Sequence, residues 1–406
     1  MKSQKFSVDG LFDDLLMEVL VRLPVKQLIG CKSVSKTWLS VITSPTFIKA
    51  HLHRSITDKG DDETLITQLF VPKEDEEEDG VDYYGPFGLV KLRAEEVVVD
   101  LNYPYSQGEF SFQPQEAVLV ASDCGIACVS IFVRTPHDEG YDQFVFENKV
   151  YLWNPATKQS KLIPLHEHDG FRRCVFGFGV DTMDLDCKIV SVASHCTPFS
   201  TIVNSSVYSA NSNSWRKIEV EPTDVPKKEK FDLCLHGFIL CIGYKGLMAF
   251  NLEAEAFVCG VELPVHGDGK STITDDLNNI QGVIIEFHDS IAVMTISNYD
   301  QPSNRYFNLW TLDDEACLRG DEIEASWTKM LSIDVGLPIR SVLGYYNRRD
   351  FMLEDESGEW FLYKSDEENY RIAPIYMDPH QVFKYVESLI PIPGSRQVRT
   401  DREEDN

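Results

Sequence analysis

Few groupings in this chain have the residue types and spacing that chemistry needs. His166-Glu167-His168 sets two imidazoles two residues apart. Zinc proteases use HExxH, whose i, i+4 pair puts both rings on one helix face, so this triplet lacks that geometry. Gly177-Phe178-Gly179 has no third glycine and lies between strand-like runs, which argues against a phosphate cradle. No GxSxG and no P-loop occurs. The ten cysteines are scattered without a CxxC, and Cys124 and Cys128, the nearest pair, have no partner set behind them. They read as buried, reduced thiols. Carboxylates number 65, so pairs of them arise by chance. The expectation is a non-catalytic chain with no cofactor and no metal.

Charge then restricts the partners. Thirty-eight basic against 65 acidic residues give a net −27. That excludes broad phosphate neutralisation, so nucleic acid is not an expected partner. The longest mostly apolar stretch, residues 117–133, is interrupted by Asp123 and too short for a bilayer, so no membrane span is expected. MKSQKFSVDG has no apolar core of the kind secretory signals carry. The expected compartment is the cytoplasm, with the nucleus as a second. The Asn204-Ser205-Ser206 triplet is then a chance match.

The charge is unevenly spread. Residues 1–54 carry a net +4 and the remainder −31, which puts a domain boundary near residue 55. Within the first segment Leu15, Val19 and Leu23 recur at i+4, as do Leu16 and Leu20. Pro24 must end that helix. Val25, Leu28 and Ile29 predict a second short helix. Ser33 or Ser35 caps a third that carries Trp38, Val41 and Ile42, and Ser44-Pro45 stops it. Three short helices bury little area alone, so either the next domain or a partner must cover the surplus apolar surface.

Residue order narrows that choice. Asp13-Asp14-Leu15-Leu16, Val19-Leu20, Arg22-Leu23-Pro24-Val25, Leu28, Cys31-Lys32, Val34-Ser35-Lys36, Trp38, Ile42, Ser44-Pro45 and Phe47 resemble an F-box. This is the module by which ubiquitin-ligase receptors dock on a Skp-type adaptor and, through it, on cullin and RING subunits. The resemblance implies an adaptor face made of Leu11, Phe12, Leu15, Leu16, Leu20, Leu23, Pro24, Val25, Leu28, Val34 and Trp38. Phe12 stands where the family usually has proline, and Gly30 where a basic residue is common. A mid-helix glycine costs up to about 1 kcal/mol relative to alanine.

Residues 57–82 hold 11 acids and 2 lysines, including the run Glu74–Asp79. Such a block is a solvated connector, or else an acidic lure for a basic partner. The assigned units are therefore 5–54, a connector over 55–96 with a first strand near Leu65–Val71, a β domain over 97–393, and a disordered tail over 394–406.

The β domain repeats. Trp153, Tyr208, Phe250, Trp310 and Tyr363 each close an apolar strand and are followed by a polar turn. Their separations of 55, 42, 60 and 53 residues average near 52. Trp215 and Trp327 follow two of the anchors. Ahead of the anchors, further strands are expected at Gly125–Val129, Cys187–Val192, Gly237–Leu240, Ser290–Met294 and Phe351–Leu353. A period near 50 with four strands per unit predicts a kelch-type β-propeller. The fold class is thus a short three-helix module followed by an all-β propeller of about six blades. The sixth blade pairs Leu65–Val71 with the late segment Tyr385–Ile390.

YLWNPATKQSKLIP (151–164), GFGVDTMDLDCKIVSV (177–192), VYSANSNSWRKIE (207–219), ASWTKMLSI (325–333) and YVESLIP (385–391) resemble the plant F-box-associated domain. With HLHR (51–54), they resemble the S-locus F-box and S-locus-F-box-like group. Cys187 stands where that family usually has tyrosine. The resemblance implies a substrate-recognition subunit of a Skp–cullin–F-box ligase, with a basic, ribonuclease-like substrate as one candidate. Substrate would meet loops on one propeller face, with Asp313, Asp314 and Glu315 as acidic candidates. The competing reading is a scaffold or binding propeller with a degenerate F-box, and the third an enzyme built on the propeller.

Overall fold

The computed structural model describes residues 15–57, 63–70, 84–91, 96–101, 103–105, 116–136, 144–164, 173–196, 201–218, 222–228, 230–264, 282–297, 306–320, 324–334, 339–346, 350–364, 369–372 and 381–398. Leu11, Phe12, the acidic run 74–79 and His166–His168 lie outside them.

Residues 15–20 are helical, and the chain turns before Pro24. Pro24 then stands at the N-cap of α1 (Val25–Cys31), where its missing N–H costs nothing. Of the two candidate caps, Ser35 is the one used: its Oγ accepts from the Trp38 N–H at 3.1 Å and opens α2 (Lys36–Ile42). Ser44-Pro45 does mark the end of α2, at Ile42, but a further helix follows. Ser44 Oγ accepts from Phe47 N at 3.2 Å, and Pro45 begins α3 (Pro45–Thr57). Proline fits a first turn because the N–H it lacks would have no partner there. That helix buries Phe47, Ile48, His51 and Leu52 and runs three residues past the boundary read at 54.

Six antiparallel sheets follow as blades. Blade II holds β4 (Glu116–Asp123), β5 (Ile126–Pro136), β6 (Phe144–Asn154) and β7 (Gln159–Leu162). Blade III holds β8 (Arg173–Asp181), β9 (Asp186–Cys196), β10 (Thr201–Ser209) and β11 (Ser214–Lys217). Blade IV holds β12 (Leu233–Leu235), β13 (Phe238–Ile242), β14 (Leu247–Asn251) and β15 (Ala256–Val261). Blade V holds β16 (Val283–Phe287), β17 (Ser290–Ser297), β18 (Tyr306–Leu312) and β19 (Trp327–Ile333). Blade VI holds β20 (Ile339–Tyr346), β21 (Asp350–Asp355), β22 (Trp360–Lys364) and β23 (Asn369–Ile372). Blade I is composite. It takes β1 (Thr64–Phe70), β2 (Tyr84–Lys91) and β3 (Glu96–Leu101) from the start, and β24 (Phe383–Lys384) from the end.

All five sequence anchors fall on the third strand of their blades, and the five strand candidates ahead of them fall on β5, β9, β13, β17 and β21, the second strands. The segment read as a connector therefore contains most of blade I. Phe87, fully buried on β2, is its third-strand aromatic. The closing strand is Phe383–Lys384, paired with Ile66 and Leu65, just ahead of the expected Tyr385–Ile390. The tail is also more ordered than expected. β25 (Arg396–Gln397) adds a fifth strand to blade II, and Val398 N donates to Lys158 O at 2.8 Å.

No blade can cover both faces alone, so the core lies between neighbours. Ile66 and Phe87 pack with Val129, Tyr151 and Trp153 between blades I and II. Phe250 and Met248 meet Val190 and Val207 between III and IV. Leu240 meets Ile284 and Val293 between IV and V, and Phe307 meets Phe351 and Tyr363 between V and VI. Leu65 and Val90 meet Met352 and Leu362, which closes the ring. The outer-strand tryptophans lace alternate joints. Trp215 Nε1 donates to Pro164 O at 2.9 Å, and Trp327 Nε1 to Glu262 O at 2.8 Å, each carbonyl lying just after the preceding blade's last strand.

Candidate protein-docking site

The helical unit sorts its apolar residues into two sets. Leu20 (1% exposed), Val25 and Leu28 are buried in one cluster with Ile42, Phe47 and Leu52. That cluster also contains Val120, Ile126, Leu389 and Ile390 of the β domain. These three residues, expected on the adaptor face, therefore face inward instead. The physical reason is the i+3/i+4 spacing itself: a short helix on a sheet buries one stripe, and this is the stripe. Leu16, Leu23 and Trp38 are half-buried against the same cluster. The outward set is Leu15 (60% exposed), Val34 (62%) and Pro24, with Val19 (62%), Ile29 and Leu39 beside them. Reading the sequence missed the last three as site residues. The signal was present, since Val19 follows Leu15 at i+4. Gly30 is exposed, and a Cβ there would meet open space.

Large aliphatic side chains left in water on one short module form a surface that a partner's apolar groups would cover. It is an area for packing.

One further contact sets this unit on the β domain and another braces it internally. Lys49 Nζ donates to the Met183 carbonyl in the turn after β8. His51 stacks on Phe47 at 6.2 Å and its Nε2 lies 3.0 Å from Leu23 O, tying α3 to the end of the first helix.

Strand direction alternates within a blade, so the first-to-second and third-to-fourth connections share one face of the ring. The helical unit contacts that face at Met183, and Ser55 and Ile56 help line the central cavity of about 1280 Å3. Glu286, Tyr345 and Lys384 of the inner strands also line it, with Asp232 just before β12. Lys384 Nζ sits between Glu63 (3.5 Å) and Glu286 (3.2 Å).

The acidic candidates Asp313–Glu315 follow β18, on the same face as the helical unit, and each has local work. Asp313 accepts from Ser326 Oγ at 2.6 Å, and that bond holds its carboxyl below the usual range. Asp314 accepts from Ala316 N at 2.9 Å and caps the 3-10 turn Glu315–Arg319. Glu315 lies 2.6 Å from His236 Nδ1, with Asp289 3.6 Å from Nε2. Burial opposes protonation of His236, but the Glu315 hydrogen bond and the charges of Glu315 and Asp289 outweigh it and raise its pKa. The trio thus anchors a loop between blades IV and V.

The remaining chemical candidates resolve as packing. Gly177 and Gly179 are on β8, where a Cβ would come within 2.7 Å of Ile239 and 2.6 Å of Cys234. Burial pushes the Cys128 and Cys187 thiols far up and Cys174 to about 11, which keeps them protonated and unreactive. Among the described residues, no group of three His, Cys, Asp or Glu is placed to hold a metal, and no helix is long and apolar enough to cross a membrane.

Family comparison agrees with this geometry. Residues 9–50 match the F-box domain, and residues 141–392 match the F-box associated beta propeller domain. The chain is similar to F-box protein CPR1 of Arabidopsis thaliana, at 23% identity over 360 residues, covering 81% of this chain and 74% of that protein. It is also similar to F-box protein At2g21930 of the same plant, at 24% identity over 343 residues, covering 79% and 72%. An F-box domain implies docking on a Skp-type adaptor, and the outward Leu15–Val34 surface lies within the matched residues. The chain belongs to the plant proteins that join an F-box to an F-box-associated β-propeller.

Proposed function

We propose that this chain is the substrate-recognition subunit of a Skp–cullin–F-box ubiquitin ligase. Its helical unit binds the Skp-type adaptor, which brings cullin and RING subunits, and its propeller holds a protein marked for ubiquitination and degradation. The observation that carries this reading is the exposed Leu15, Val19 and Val34 surface on a module whose other apolar stripe is sealed into the propeller. Catalysis then belongs to the partner subunits, and this chain contributes proximity and orientation.

The substrate in this reading is a basic protein, with S-locus-type ribonucleases as the class to try first. Residues 55–406 carry −31, which favours encounter with a cationic surface. The setting is the cytoplasm, with the nucleus as a second compartment.

The test is co-expression of the full chain with a plant Skp-type adaptor, beside Leu15→Asp and Val34→Asp. Co-purification by the wild type, lost in both variants while their folds persist, is the expected result. A folded wild type that binds no adaptor leaves the propeller as a stand-alone binding module. A basic ribonuclease should be captured at low salt and released as salt rises; capture that ignores salt would remove the charge argument.

A further inference from the structure

The two units are joined covalently only through residues 58–63, yet a second connection exists. After β24 the chain does not leave the molecule. Tyr385 N donates to Thr64 O at 2.9 Å, and Glu387 Oε2 then accepts from Val25 N at 3.1 Å, at the start of α1. Ser388 O and Ile390 O accept from the buried Asn154 Nδ2 at 3.1 and 3.0 Å, and Ile390 N donates to Ser388 Oγ at 3.0 Å. Leu389, Ile390 and Ile392 enter the cluster that holds Leu20, Val25 and Leu28. Arg396 finally pairs with Ser160 at the rim of blade II. The turn beneath is cut to fit. Gly125 has φ +80, and a Cβ there would collide with the Val386 carbonyl and Ser388.

We propose that the segment Tyr385–Ile392 is a strap that sets the orientation of the helical unit on the propeller, with Glu387 as its positioning residue. A shared apolar core resists separation but is indifferent to small rotations, because burial is not directional. A carboxylate aimed at one backbone N–H at a helix start is directional, and it also favours the helix dipole. Asn154 supplies the other end of the frame, since it grips two carbonyls of the strap from a blade II turn. Glu387 therefore acts on the helical unit through α1. Its consequence for ubiquitin transfer rests on the ligase reading above. The strap itself does not.

The experiment attaches spin labels through unnatural amino acids at Lys36, exposed on α2, and Met330, exposed on β19, in the full chain. Wild type should give one narrow distance distribution. Glu387→Ala should raise the population outside that peak about fivefold, the equivalent of about 1 kcal/mol. Glu387→Gln, whose amide oxygen still accepts from Val25 N, should restore the peak. Gly125→Ala should displace the strap further. If that variant fails to fold, Glu387→Ala alone decides. In a reconstituted ligase, the lysines of this chain that receive ubiquitin should spread to new positions in Glu387→Ala at unchanged adaptor affinity. Loss of adaptor binding by the wild type sinks the ligase reading and leaves the distance measurement valid. Unchanged distances in both Glu387→Ala and Gly125→Ala overturn the strap.

Discussion

The helical unit and the propeller treat large apolar side chains in opposite ways. In the propeller, β13 is buried at every position and β14 at all but its last. Its tryptophans turn their one polar atom to a neighbouring carbonyl, as at Trp215 and Trp327. In the helical unit, Leu15, Val19 and Val34 are each at least 60% exposed, though the same module contributes Val25 and Leu28 to a sealed core. Apolar surface costs about 25 cal/mol per Å2 to leave in water. Where one module leaves it on one side only, stability was not what placed those residues. The difference separates a unit that is finished by a partner from one that is finished by its own ring.

The strongest attempt to break this contrast is Leu28→Ala. The cavity should cost about 2–5 kcal/mol, and because the cluster spans both units, thermal unfolding should shift as one transition. Two resolved transitions would show that helical unit and propeller are finished independently. Next comes Val34→Asp, which should move thermal stability by less than about 0.5 kcal/mol yet weaken adaptor binding by about 2 kcal/mol or more, read by calorimetry. A large stability loss there would place Val34 in the folding core.

The loop between blades IV and V gives a smaller effect. The pKa of His236 is raised, so its bond with Glu315 contributes fully below the ordinary imidazole pKa near 6.5 and is lost as pH rises through the folded value. The half-exposed pair should be worth under about 1 kcal/mol. The melting difference between wild type and His236→Gln should therefore shrink from pH 6 to pH 9; a constant difference would mean the charge plays no part. Asp313→Asn should have the smallest effect, a local loosening of the Ser326 contact with no change in capture of a basic protein. Reduced capture would instead make Asp313 a contact for that partner.

Legibility along the chain followed burial. Second and third strands such as β13 and β14 are buried along nearly all their length and read as apolar runs, so Phe250 stands out as an anchor. Outer strands face water along much of their length: β11 has no buried residue and β19 has one. They were visible mainly at Trp215 and Trp327. Of blade I the sequence shows β1 but not β2 or β3, because a strongly acidic insert separates β1 from β2 and local charge outweighs the weaker strand signal. In the helical unit, spacing identified which residues are apolar neighbours on a helix face. It did not say which face the propeller takes, so buried Leu20 and exposed Leu15 looked alike.

What the sequence by itself determined is therefore local and periodic. It carried the helical spacing and cap of residues 15–42, the repeat of about 50 residues, the third-strand aromatics and the acidic balance. Those features depend on neighbours within a few positions or on simple counts. The tertiary structure alone decided which apolar stripe is outward, that Phe383–Lys384 closes the ring, that Asp313–Glu315 are occupied, and that Glu387 meets Val25 across 362 residues. Such contacts depend on where distant segments arrive. That is set by the closure of the whole ring, and no short window of residues contains it.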